Sequence, residues 1–216
     1  MVVLPSTILA STAILDRGSE SVKAVLTAEE NRFSRALTDL QRLSLEEKMP
    51  IAIVGGLGTI HYGYPAATQD IDIVVGRRDL GKLIKAAPHC NFVITWEAKS
   101  GWHNLKHGEV EINVVPEGAK TKNSAPTTIP GPSQLGVAKG LDYASLSGWI
   151  ELKLSSARQK DRAHVVEVMK KTDDGSLRGA RAHVGGVHES YLRLFDELLE
   201  QAREERSQEE ERGAKR

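Results

Sequence analysis

Two aspartates separated by a single residue carry the clearest chemical signal in the sequence. Asp70 and Asp72 lie in the run DIDIVV, in which a strand is predicted over 71–75 because the apolar residues there are β-branched. Positions i and i+2 of a strand project from the same face, so the two carboxylates are expected to lie side by side. Carboxylates this close repel each other unless a cation lies between them, and Mg²⁺ prefers such hard oxygen ligands. The pattern therefore predicts a site for Mg²⁺ or Mn²⁺.

A glycine pair precedes the aspartates. Gly55 and Gly56 follow a short apolar run, 51–54, that is typical of a buried strand, and a helix is predicted over 57–62. Glycine lets backbone amides approach a phosphate because no Cβ stands in the way. Thr68 could orient the aspartate segment through its hydroxyl, although a threonine before an aspartate is also ordinary loop chemistry.

Together, these segments resemble the signature of the DNA polymerase β-type nucleotidyltransferase superfamily. The likeness is greatest to the small bacterial abortive-infection (AbiEii-like) and minimal nucleotidyltransferases. It covers about residues 50–171 and is most specific over 54–75. The stretches 149–153 and 158–161 also resemble the segment that those groups place behind the catalytic sheet.

The resemblance implies an enzyme that transfers a nucleoside monophosphate from a nucleoside triphosphate, such as ATP, to a hydroxyl group, with pyrophosphate leaving. Asp70 and Asp72 would bind the metal. The nucleotide would be bound by Gly55, Gly56, Thr68, Lys153 and Lys160. Lys153 stands among apolar residues of a predicted helix, where a lysine is more often a solvent-facing residue than a ligand.

A third acidic position decides how active such an enzyme would be. In the predicted strand 110–115, Glu111 and Asn113 share one face. By resemblance, an aspartate is expected where the chain has Asn113. An amide can bind a metal through its oxygen, but it carries no charge and cannot accept a proton as a carboxylate can. We assign catalytic roles to Asp70, Asp72, Glu111 and Asn113, and expect transfer to be slow.

Three functions remain open at this stage. The chain could be a working transferase, including the toxin-like enzyme of a two-protein defence or toxin–antitoxin system. It could be a transferase-like module that binds a nucleotide, RNA or a partner protein without turnover. It could also act as an antitoxin or scaffold beside a cognate protein. The acceptor is equally open, because a tRNA end, a protein hydroxyl and a small molecule would all leave the aspartates unchanged.

The predicted elements form an α/β fold, a mixed sheet flanked by helices with a C-terminal helical segment. We divide the chain into a nucleotidyltransferase-like domain, 1–140, and a helical segment, 141–216. A capping box over 27–30 begins a helix over 28–43, and Asp79 caps a helix that ends near Pro88. Three further strands are predicted at 92–95, 102–105 and 110–115, followed by a loop at 116–140. Three helices are predicted after the loop, at 146–154, 161–171 and 191–205, and Asp161 would cap the second of them. Residues 203–216 are predicted to form a charged tail.

Composition narrows the class of protein. Lys plus Arg and Asp plus Glu number 29 each among 216 residues, so no whole-chain basic field favours nucleic acid. Cys90 is the only cysteine, which excludes an internal disulfide and suits a reducing cytoplasm. No apolar run reaches membrane-spanning length, and we expect a soluble cytoplasmic protein without a membrane partner. Trp96, Trp102 and Trp149 could stack on a base, although core packing is the usual role of tryptophan.

Overall fold

The computed structural model describes residues 32–214, which divide into two compact units. A sheet unit contains residues 32–119 and 128–145, and a helical unit contains 120–127 and 146–214. The prediction of a mixed α/β sheet flanked by helices, with a helical C-terminal part, is confirmed.

The sheet unit contains four helical segments and six strands. The helical segments are α1 (Arg32–Glu46), α2 (Gly55–His61), α3 (Leu80–Ala86) and a short 3₁₀ helix (Ala87–Cys90). The strands are β1 (Ile51–Ile53), β2 (Asp70–Val75), β3 (Val93–Glu97), β4 (His103–His107), β5 (Val110–Pro116) and β6 (Leu141–Tyr143).

The six strands form one sheet in the order β3-β4-β5-β2-β1-β6. β2 runs parallel to β5 and antiparallel to β1, which in turn runs parallel to β6. Alternation along the strands sends one set of side chains, including Ile71, Ile73 and Ile112, into the core beneath α1. The opposite set forms what we call the carboxylate face: Asp70, Asp72, Asn104, Lys106, Glu111 and Asn113.

The helical unit consists of four helices. They are α4 (Leu146–Ser156), α5 (Gln159–Met169), α6 (Asp174–Val187) and α7 (Glu189–Ala214). Fully buried side chains such as Trp149, Val165 and Phe195 supply its core. No helix in the described range 32–214 has the length and apolar character needed to cross a membrane.

Several element predictions need correction at their ends. The helix predicted to end at residue 43 continues to Glu46, and the capping box at 27–30 lies outside the described residues. Asp79 is the N-cap residue of α3, but its side chain makes no capping hydrogen bond and pairs with Lys82 at 2.8 Å. Asp161 does not cap α5, because Arg158 holds that position and Asp161 is buried in the first turn.

Two elements were not predicted. β6 has only three residues, too few for periodicity to reveal, and it joins the sheet although it lies beyond residue 140. α6 contains Gly175, Gly179, Gly185 and Gly186, which lower its intrinsic helix propensity. The segment predicted as a charged tail is helical through Ala214, so the 191–205 prediction was too short at both ends.

Candidate functional site

Strand β2 presents Asp70 and Asp72 together on the carboxylate face. Both side chains are half-buried, whereas Ile71 and Ile73 between and after them are completely buried. The core therefore fixes the strand by its apolar side chains and leaves the two carboxylates directed away from it.

Asn113 of β5 bridges the two carboxylates. It is the register partner of Asp72, and its Nδ2 lies 2.9 Å from Asp70 Oδ2 and 2.9 Å from Asp72 Oδ1. Ionised carboxylates only accept hydrogen bonds, so the amide must present its nitrogen to both of them. One oxygen of each aspartate thus converges on a single polar atom, in the space where a shared cation would lie.

Thr68 holds Asp70 from the loop before β2. Its Oγ1 lies 3.0 Å from Asp70 Oδ1 and 3.1 Å from the Asp70 carbonyl oxygen. The hydroxyl has one proton, so it donates to either oxygen and limits the rotation of the carboxylate. Thr68 could have been an ordinary loop residue or one that orients the aspartate, and these distances favour the orienting contact.

The glycine pair packs directly against the same residues. Gly55 has φ +63°, and a Cβ at this position would lie 1.8 Å from Asp72 Oδ2. A Cβ on Gly56 would lie 2.6 Å from Thr68 Oγ1. The N–H of Val54 also donates to the Asp72 carbonyl oxygen at 2.9 Å. The absence of side chains at both glycines therefore lets the start of α2 contact the aspartate strand.

Glu111 extends the carboxylate face toward β4. It is the register partner of Asp70, is exposed, and accepts a hydrogen bond from Asn104 Nδ2 at 2.6 Å. Lys106 lies opposite Glu111 in the next strand. The sequence reasoning missed Asn104 and Lys106, which could have been found by assigning alternate positions of the 103–107 strand to the same face.

The donor set suits a hard divalent cation. Asp70 and Asp72 offer oxygen ligands only, and Mg²⁺ is commonly held by one or two carboxylates together with substrate phosphates and water. Within residues 32–214, no group of three or more His, Cys, Asp or Glu side chains could hold a metal by itself. If Asn113 turned its amide, Oδ1 would supply a third oxygen. These residues fit a cation that shares its ligands with a bound nucleotide.

The two lysines predicted to contact the triphosphate belong to the helical unit. Lys153 is not solvent-facing: its side chain is 7% exposed, and Nζ donates to Asp161 Oδ1 at 2.8 Å. Nζ also lies 5.6 Å from the centre of the Trp149 ring. Lys160 is exposed.

Asp161 is the most strongly paired carboxylate near these lysines. It is 1% exposed and accepts hydrogen bonds from Lys153, from Arg158 Nε at 2.7 Å and from the Ser156 hydroxyl. Burial alone would raise the pKa of Asp161, but the hydrogen bond from Arg158 and the charge of Lys153 outweigh it and lower the pKa to about 2. The group is therefore ionised at any physiological pH.

Comparison with known proteins gives structural neighbours only. No protein-family model matches the chain, and no curated protein matches it. A solution structure of the antibiotic-resistance factor ANT(2'')-Ia is similar, with TM-score 0.44 and 14% identity, covering 85% of this chain and 98% of that one. A crystal structure of ANT(2'')-Ia in complex with adenylyl-2''-tobramycin has TM-score 0.40 and 13% identity, covering 78% and 98%.

A third neighbour is terminal uridylyl transferase 4 from Trypanosoma brucei with bound GTP. Its TM-score is 0.33 and its identity 15%, over 77% of this chain and 56% of that chain. The likeness of the Gly-Gly and Asp-x-Asp segments to the nucleotidyltransferase superfamily rests on the sequence. The finer likeness to the abortive-infection group stays a prediction.

Proposed function

We propose that the chain is a metal-dependent nucleotidyltransferase that moves a nucleoside monophosphate from a nucleoside triphosphate to a hydroxyl acceptor. One observation carries the proposal: an oxygen of Asp70 and an oxygen of Asp72 converge within 2.9 Å of one atom, Asn113 Nδ2. Two half-buried carboxylates held at this separation form a site for a shared cation.

The proposed reaction is the one that the sequence resemblance implies. The acceptor oxygen attacks the α-phosphorus, a new P–O bond forms, and the bond to the β-phosphate oxygen breaks so that pyrophosphate leaves with the electron pair. Mg²⁺ or Mn²⁺ held by Asp70 and Asp72 would neutralise charge on the phosphates. Thr68 keeps Asp70 oriented, and Glu111, exposed on the same face, accepts the proton that the hydroxyl loses.

A second candidate function is a nucleotide-binding module without turnover. The observation that favours it is Asn113 itself, which brings no charge to the position beside Asp72 and donates to both carboxylates. An amide here leaves the site one negative charge short of three carboxylates. We expect slow transfer if the chain is an enzyme.

The finer assignments rest on the sequence resemblance. They are the binding of the triphosphate by Gly55, Gly56, Lys153 and Lys160, the membership of the abortive-infection group, and a toxin-like role with a cognate partner protein. They also include the range of acceptors, which comprises a tRNA end, a protein hydroxyl and a small molecule.

The test is nucleotide transfer by aspartate variants. The wild-type chain is incubated with each labelled nucleoside triphosphate, Mg²⁺ or Mn²⁺ and a cell extract, and the labelled species is identified. We expect Asp70→Asn or Asp72→Asn to abolish labelling, because the cation site loses charge but little volume. Asp79→Asn, just beyond the other end of β2, is the control and should label normally. Unchanged transfer by both variants at 70 and 72 would refute the proposal.

Glu111→Gln separates the two candidate functions in the same assay. An enzyme that uses this carboxylate to accept a proton should lose most of its transfer while its metal-dependent binding of nucleotide persists. If the wild type binds nucleotide and transfers nothing, with any nucleotide or metal, the binding module replaces the enzyme.

A further inference from the structure

The segment that follows β2 carries a local excess of basic charge, although the chain as a whole is neutral. Residues 77–89 contain four Lys and Arg residues and a single acidic residue, Asp79, whereas the two kinds number 29 each in the whole sequence. The four basic side chains and one histidine of this segment are exposed. We call these five residues the α3 basic surface: Arg77, Arg78, Lys82, Lys85 and His89.

Helical spacing places most of these side chains on one side of the segment. The N–H of Leu80 donates to the Gly76 carbonyl oxygen at 3.1 Å, so the chain already turns as a helix where α3 begins. Positions 78, 82, 85 and 89 then follow one another at intervals of four, three and four, the spacing of one helix face. The opposite face packs into the core through Leu83, which is completely buried. The core therefore directs the basic side chains to solvent.

Only part of this positive charge is neutralised by the protein itself. Lys82 pairs with Asp79 at 2.8 Å, and a carboxylate oxygen of Glu117 accepts a hydrogen bond from the backbone N–H of Arg77 at 3.0 Å. The other Lys and Arg side chains of the surface have no ion pair within residues 32–214. Four cations beside two carboxylates leave an excess of positive charge, which attracts an anionic partner.

A cavity of about 550 Å³ lies beside the two arginines of the surface. Asp79, Glu117 and Ser133 line it as well, and both carboxylates already have the partners described above. A Cβ on Gly118 would lie 3.4 Å from Arg77 Nη1, so the glycine places no side chain against the guanidinium. A guanidinium can donate two parallel hydrogen bonds to one phosphate group. The cavity therefore gives a phosphate room to approach the arginines.

The surface lacks the apolar contacts that a protein or a membrane partner uses. None of the leucine and isoleucine side chains within 76–90 is exposed. Protein interfaces depend on aromatic or apolar anchors and are depleted in lysine. A helix that binds a membrane surface needs an apolar face free for lipid, whereas α3 buries Leu83 in the core. A phosphate backbone, in contrast, binds through charge alone.

We propose that the α3 basic surface binds the sugar–phosphate backbone of a nucleic acid, with phosphates beside Lys82 and Lys85 and at the cavity lined by the arginines. The surface is separate from the aspartate pair, because Val75 at the end of β2 already lies about 10 Å from Asp72. Such contacts carry no sequence information. Binding here needs neither a nucleoside triphosphate nor transfer, so it stands or fails independently of the proposed function.

The first test measures nucleic acid binding and its dependence on salt. Fluorescein-labelled single-stranded RNA, duplex RNA and duplex DNA of about 20 nucleotides are titrated with the full chain at about 50–200 mM salt, and anisotropy gives Kd. The three arms show which backbone binds most tightly. Each phosphate contact contributes about 0.7–0.9 to the slope of log Kd against log salt, so four contacts should give a slope of about 3.

The second test removes two of the charges. Arg78→Gln with Lys85→Gln should weaken binding about tenfold at about 100 mM salt and lower the slope by about 1.5. Arg178→Gln with Arg203→Gln is the matched control, since it removes the same charge from exposed arginines of the helical unit, and it should keep the wild-type Kd and slope. Arg78→Lys with Lys85→Arg keeps the charge and should bind as the wild type does. All four positions are exposed, so circular dichroism spectra and Tm should match those of the wild type.

Competition tests the choice of partner. Neither polyglutamate nor vesicles of anionic phospholipid, at an equal concentration of negative charge, should displace the labelled nucleic acid as unlabelled nucleic acid does. Equal displacement by either one would assign the surface to that partner and overturn the inference. An unchanged Kd in Arg78→Gln with Lys85→Gln, an equal loss in the control, or no binding by the wild type at about 50 mM salt would overturn it too. None of these results alters the labelling assay with the aspartate variants, which tests the proposed function.

Discussion

Carboxylates occupy very different surroundings in the two units of the chain. In the sheet unit, Asp70 and Asp72 are half-buried and share one amide donor, Asn113. In the helical unit, Asp161 is 1% exposed and accepts hydrogen bonds from Lys153, Arg158 and Ser156. A buried charge persists only when its partners compensate for lost hydration. The contrast indicates that Asp161 stabilises the fold, whereas the aspartate pair, under the proposed function, binds a cation.

The largest expected effect is on the stability of the helical unit. Asp161→Asn should lower the free energy of unfolding by about 3–5 kcal/mol, because it leaves the buried Lys153 ammonium without its counter-charge. The measurement is urea unfolding followed by circular dichroism. Asp196→Asn is the control: its partner Arg181 lies at 2.7 Å, but both side chains are exposed, so its loss should lower stability far less. Similar losses in the two variants would contradict the contrast between the units.

The next expected effect is that of a third carboxylate at position 113, beside the aspartate pair. Asn113→Asp removes the donor to both aspartates and adds a third negative charge, so metal-free stability should fall by about 1–3 kcal/mol. Mg²⁺ should then raise Tm more than in the wild type, because it binds only the folded chain. Transfer activity should also exceed that of the wild type.

Asn104→Asp is the control for this substitution. It adds the same charge to the carboxylate face, one strand farther from the aspartates. A Tm rise with Mg²⁺ as large as that of Asn113→Asp would mean that general negative charge, and not a third ligand, explains the effect.

The smallest expected effect is on how the stability of the helical unit depends on pH. Burial, and then the positive charge of Lys153, lower the pKa of His164 from 6.5 to about 4. The unfolded chain therefore binds a proton more readily, so this contribution to stability is complete above about pH 6.5 and is lost as pH falls toward 4. Asp161, with its pKa near 2, titrates below this window.

Urea midpoints at several pH values between 6.5 and 4 check this expectation. His164→Gln should flatten the decline relative to the wild type, whereas His89→Gln, which changes an exposed histidine, should leave it unchanged. An identical decline in all three proteins would show that His164 does not cause it.

Much of the sheet unit could be predicted because its strands have clear patterns. The alternation of Asp70, Ile71, Asp72 and Ile73 indicates both a strand and its two faces, and the structure has β2 over this run. Elements were harder to predict where the hydrophobic pattern is short, as in the three residues of β6, or where the helix propensity is weak, as in the glycine-containing α6. Such elements form because neighbouring elements pack against them, which local sequence does not record.

The sequence by itself determined which side chains could do chemistry: two aspartates one residue apart, a glycine pair before them, and Glu111 and Asn113 on a later strand. Local alternation was sufficient for this, because it depends only on the period of a strand. Only the tertiary structure decided that Asn113 bridges both aspartates and that Lys153 is buried against Asp161. It also placed Trp96 on the carboxylate face, because a β-bulge in β3 shifts the register and pairs Trp96 with Asn104. These contacts depend on strand register, on a bulge and on helix packing, which join residues distant in the chain.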